Sequence, residues 1–132
     1  MNKTLDQRRA EHAWEAIERI GEDQNAKEYA REAKKLPIRI MAAGLGQALS
    51  FILAKAKNSK PKLKKLHEDI TDWVIAKRGM PAKAPDHLLE SICKGDSDFL
   101  RRATDEVLAY LQWLNRFAEA KGLSDDENRS NP

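Results

Sequence analysis

The side chains that could do chemistry are few in this sequence, and they are scattered. Its three histidines, His12, His67 and His87, fall on three separate expected helices without paired spacing. His67-Glu68 begins like the helical zinc motif H-E-x-x-H, but the second histidine would stand at position 71, which is Thr71. Surface or capping roles are expected for all three, and no metal site. Carboxylates come in groups, Glu18, Glu22 and Asp23, then Glu68, Asp69 and Asp72. On charged helices such groups are solvated or paired at i,i+4. Cys93 is the single cysteine, which precludes an internal disulfide and fits a reducing compartment. It follows an apolar helical residue and reads as a small core side chain. No catalytic constellation and no cofactor site emerge, so the expectation is a protein that is not an enzyme.

Gly44-Leu45-Gly46, after the weakly alternating Ile38-Arg39-Ile40-Met41, imitates a phosphate-binding turn that opens a helix. The third glycine of that fingerprint would fall at position 49, which is Leu49. No second strand is apparent, and Pro37 followed by good helix formers suits a helix start. The glycines are therefore read as structural. Inside a helix each costs roughly 0.8–1 kcal/mol relative to Ala. That cost implies a geometric role: close approach of a neighbouring helix, or a bend near Gly44 that splits the run. Gln47, next in the motif, is equally suited to helix packing or to partner contact.

The cations are more informative. Lys55, Lys57, Lys60, Lys62, Lys64 and Lys65 lie within eleven residues that contain no acid. Lys34, Lys35 and Arg39 precede them, and further groups are Lys77, Arg78 and Lys83, and Arg101-Arg102. Acid instead collects at 18–23 and 125–127. A lysine-rich turn is either a solvated corner or a contact for a nucleic-acid backbone, where counterion release drives affinity. Trp14, Trp73 and Phe117 sit on apolar stripes and read as core, whereas Trp113 is offset and reads as exposed at an interface. Without a stacking platform, any nucleic-acid contact is expected to be to phosphates and sequence-blind.

Helices must position these groups. The 132 residues carry 34% charged and 6% aromatic side chains and a net charge of +3, a composition that fits one helical domain. Thr4 caps a first helix with Gln7 in capping-box spacing, and Gly21 ends it. A short helix from Asn25 is expected to stop before Pro37, because the residue preceding proline is pushed from helical geometry. Leu36–Ala56, the longest apolar run, reads as a central helix buried on all sides. Ser59 is expected to cap a helix with the inner stripe Leu63, Leu66, Ile70, Trp73 and Val74. After the loop 79–85, Asp86 caps a short helix, and Asp96 or Ser97 starts a long final one. The expected fold is an all-α, single-domain bundle of about six helices around a buried central helix, over residues 1–123. Residues 124–132 are expected to be a disordered tail. No signal peptide or membrane span is expected, which points to the cytoplasm.

Three stretches carry a resemblance: LDQRRAEHAWEAI, KEYAREAKKLPIRIMAAGLGQALSFILAKAK and LAYLQWLNRFAEAKGL. In this order, over roughly 5–123, they resemble the small-subunit family of the type III-B CRISPR (Cmr) RNA-silencing complex. The most specific parts are Leu36-Pro37 with Gly44-Leu45-Gly46-Gln47-Ala48-Leu49, and the closing Tyr110-Leu111-x-Trp113-Leu114-x-Arg116-Phe117-Ala118. The resemblance implies a non-catalytic subunit that stacks with neighbouring copies along a filament of backbone subunits and helps hold the target RNA paired to the guide. It transfers no RNA-contacting residues. The lysines named above rest on charge clustering alone, and a helical DNA-binding protein or a protein-only adaptor are the alternative readings.

Overall fold

The computed structural model describes residues 2–123, and every regular element among them is helical. Helix α1 (Leu5–Ile20) starts at Thr4, whose Oγ1 accepts from the Gln7 amide at 3.0 Å while the Gln7 side chain accepts from the Thr4 amide at 2.8 Å. Gly21 ends it at φ 80°, a conformation open to glycine. Helix α2 (Gln24–Ala43) is capped by Asp23, which accepts from the Ala26 amide at 2.8 Å.

Contrary to expectation, α2 does not stop at Pro37 but runs through it. Proline has no N–H for the carbonyl four residues back, here Ala33, and such a gap normally breaks a helix. The Asn115 amide nitrogen donates to the Ala33 carbonyl at 3.1 Å, so a side chain from the last helix supplies the missing partner.

Gly44, at φ 90°, then separates α2 from α3 (Leu45–Asn58). The apolar run is therefore two helices, with the break where the glycines allow it. The expectation of a single helix buried all round is corrected. Leu36, Ile40, Leu45, Leu49 and Ile52 are buried, but Ile38 and Met41 stand 75% and 77% exposed and Phe51 43%. The bend at Gly44 turns only one face of each half inward.

Helix α4 (Lys62–Thr71) follows Pro61 with no side-chain cap, so Ser59 does not play that part. α4 continues into one π-helical segment, Asp72–Lys77, whose wider turn sets Trp73, Val74 and Ile75 into the core. Helix α5 (Leu88–Lys94) is capped by His87 rather than Asp86: His87 Nδ1 accepts from the Glu90 amide at 3.2 Å. Helix α6 (Ser97–Ala120) is capped by Asp96, as its sequence indicates.

Helix α2 packs against α3, α4 and α6. α6 packs against α1 and α2, while α3 packs on α2 and α4 with α5 beside it. Glu18 meets Lys121, and Lys62 meets Ile20, so the α1–α2 turn, the α3–α4 corner and the end of α6 share one end of the bundle. The expected tail, 124–132, lies outside the described residues. Among the described residues no helix is long and apolar enough to cross a membrane.

Candidate nucleic-acid interface

The basic residues of α2, α3 and the start of α4 that the sequence singles out separate into three groups. Arg39 and Lys55 converge on Glu32 at 2.6 and 2.7 Å, and Glu32 is 1% exposed. Burial alone would raise the Glu32 carboxyl pKa, but hydrogen bonds from Lys55 and Arg39 more than offset it and hold the group below its ordinary value. Both cations also lie over the Phe51 ring, at 4.2 and 5.1 Å from its centroid. They tie α2 to α3 and shield an exposed aromatic. Lys34 and Lys35 form a second group, exposed on the outside of α2.

The third group is the α3–α4 corner. Lys60 pairs with Glu28 at 3.4 Å, and Lys62 Nζ donates to the Ile20 carbonyl at 3.3 Å. Lys65 lies 3.5 Å from Asp69. Lys57 and Lys64 are exposed and have no ion pair among the described residues. The corner borders a cleft of about 220 Å3 lined by Arg19, Ile20, Asn25, Pro61, Lys62 and Lys65. Among the described residues no carboxylate lines it. Asp69 sits behind: its Oδ2 accepts from the buried Tyr29 hydroxyl at 2.7 Å, and its Oδ1 is shared at 3.5 Å by Arg19 and Lys65. Charge clustering could not find Arg19, because in sequence it is surrounded by the acids Glu15, Glu18 and Glu22. Only the fold brings it to the lysines.

Gln47 is exposed on α3, so helix packing does not occupy its amide. Gly46 is not at a close helix contact: a Cβ there would meet only Ile92 Cγ2, at an ordinary 3.8 Å.

Two expectations for the histidines fail. His12 and His67 are buried, not at the surface. His12 bridges the Tyr110 hydroxyl at 2.7 Å and Asp72 at 2.8 Å, beside Glu106, which accepts from Arg9, Arg78 and the Trp73 indole. These contacts bind α1, the π segment and α6 together. His67 packs its ring 4.7 Å from that of His87, and burial, reinforced by repulsion from His87, lowers its pKa to about 4. No group of three or more metal-ligating side chains occurs among the described residues. Cys93 is exposed, not core. The tryptophans exchange roles too. Trp14 is 38% exposed, edge-on to Phe117 at 5.1 Å, while Trp113 is half-buried and donates to Asp6 at 3.0 Å.

Comparison with known proteins decides the family. A family model described as CRISPR-associated protein (Cas_Cmr5) matches residues 5–121. This chain belongs to the Cmr5 family. A curated relative, the CRISPR system Cmr subunit Cmr5 of Thermus thermophilus, is 31% identical over 118 residues, covering 89% of this chain and 96% of the relative. The crystal structure of a CRISPR-associated Cmr5 family protein from the same organism superposes with a TM-score of 0.72 at 30% identity. It covers 89% of this chain and 97% of that one. Membership in the Cmr5 family, the small subunit of the type III-B Cmr system, agrees with the resemblance carried by the glycine and aromatic motifs.

Proposed function

We propose that the chain is a structural, non-catalytic subunit of a type III-B CRISPR effector in antiviral defence, stacking with copies of itself and with backbone subunits and contacting target RNA through phosphates. The observation that carries the RNA part is the α3–α4 corner. It gathers Lys57, Lys60, Lys62, Lys64 and Lys65, three of which, Lys57, Lys62 and Lys64, have no ion pair among the described residues. Phosphate contacts of this kind carry no sequence information, as befits a subunit of an effector whose specificity comes from base pairing. Stacking would multiply weak contacts, so one copy binds RNA weakly and the array strongly. This reading needs no cofactor and places the protein in the cytoplasm. The helix-turn-helix alternative has less support. The helix after the corner turns Leu63, Leu66 and Ile70 inward and offers mainly lysines outward.

The test is to recover the tagged protein from its native host, sequence the bound RNA and identify partners by mass spectrometry. CRISPR guide RNAs together with larger ribonucleoprotein subunits are the expected yield. Partners without RNA would favour the adaptor reading, and duplex DNA the helix-turn-helix one.

A further inference from the structure

We infer that the cleft between the end of α1, the start of α2 and the start of α4 is a seat for a single phosphate group, with Arg19, Lys62 and Lys65 as its cationic ligands. The inference rests on the RNA-backbone reading and deepens it, because it names one defined site and a residue absent from the lysine cluster.

Three facts converge on an anion. The first is charge. Arg19 and Lys65 share a single carboxylate oxygen of Asp69, each at 3.5 Å, beyond the 2.7–2.9 Å of a charge-assisted hydrogen bond. Among the described residues Lys62 has only a backbone carbonyl, that of Ile20, at 3.3 Å. Three cations thus line one concavity, of which Arg19 and Lys65 also border the adjoining cleft that holds Glu68, Asp69, Asp72 and Asp86, while Lys62 faces this one alone. By contrast, Lys55 and Arg39 hold their shared carboxylate, Glu32, at 2.7 and 2.6 Å.

The second is the helix end. α4 begins here with no acidic residue in its first turn and no side-chain cap, so the positive end of its dipole adds to the lysines. The third is shape. The cleft is an open depression in the surface, and among the described residues no carboxylate lines it. At about 220 Å3 it is smaller than the roughly 300–1,000 Å3 of sites that enclose whole small molecules. It suits a phosphate with its sugar resting on Ile20 and Pro61, and leaves the base outside and unread.

The experiment is an amide-resolved NMR titration of the full chain with inorganic phosphate, and separately with a short oligouridylate at low salt. Phosphate is expected to shift the Ile20, Asn25 and Lys62 amides. Those shifts should be lost in Lys62→Gln and Arg19→Gln and kept in Lys64→Gln, which lies outside the cleft. With the oligonucleotide, each cleft variant should lose affinity several-fold and lower the salt slope by about 0.7. Lys62→Gln guards against a folding artefact, because its side chain meets only a carbonyl. Oligouridylate binding that Arg19→Gln and Lys62→Gln leave unchanged would overturn the phosphate seat while preserving the RNA reading. Phosphate shifts in the cleft with no oligouridylate binding would preserve the seat and count against RNA as its source. An absence of phosphate shifts there would overturn it outright.

Discussion

At the scale of single residues, the buried polar groups hold the bundle together, and one of them gives it a pH dependence. His67 is buried with its Nε2 unpartnered, and its pKa lies near 4 against an ordinary 6.5. The folded chain therefore binds this proton less readily than the unfolded chain does. Stability is complete above pH 6.5 and declines as pH falls toward 4, by up to about 3 kcal/mol. Chemical denaturation at a series of pH values should show this decline, and His67→Phe should remove it. The depressed carboxylates Glu32 and Glu106 act lower, since their contribution is lost only as pH drops through and below the ordinary carboxylate range. A slope between pH 6.5 and 5 that survives in His67→Phe would assign the effect elsewhere. None of this was legible in the sequence. His12 and His67 look like surface residues on charged helices. Only the tertiary contacts of Asp72, Tyr110 and His87 show what each faces.

At the scale of elements, local signals read well and long-range compensation did not. The caps at Thr4 and Asp96 and the break at Gly44 follow from the types of a few adjacent residues. The passage of α2 through Pro37 does not, because its cause lies on another helix, at Asn115. This relation predicts a coupled pair. Asn115→Ala should cost about 1–3 kcal/mol by leaving the Ala33 carbonyl unpaired. In a Pro37→Ala background the restored backbone N–H should remove most of that cost. Thermal unfolding of the four proteins in the cycle measures the coupling, and additive losses would mean that Asn115 acts by packing alone. The two glycines should also differ in sign. Gly44→Ala forces a side chain into φ 90°, ψ 161°, a region essentially restricted to glycine, at roughly 1–3 kcal/mol. Gly46→Ala has room for its Cβ and should be neutral or stabilising by up to about 1 kcal/mol. Equal losses at both would contradict the geometry.

At the scale of the whole molecule, the chain is a bundle with a charged end and a partly apolar flank. The α3–α4 corner was visible in the sequence as a run of lysines, because six cations without an intervening acid need no fold to be noticed. Its division was not visible. Lys55 and Arg39 turn to Glu32, whereas Arg19 arrives from α1 to complete the cleft. The family relationship and this distribution of charge support the same account, a helical subunit that adds phosphate contacts to an RNA-guided assembly. The most direct test is target-RNA affinity of the reconstituted effector carrying Lys57→Glu, Lys62→Glu and Lys64→Glu together in this subunit. The account predicts intact assembly, an unchanged subunit fold, and target capture weakened at least about ten-fold at physiological salt, with a shallower salt dependence. Unchanged target affinity in a fully assembled complex would contradict it and leave the chain a structural adaptor.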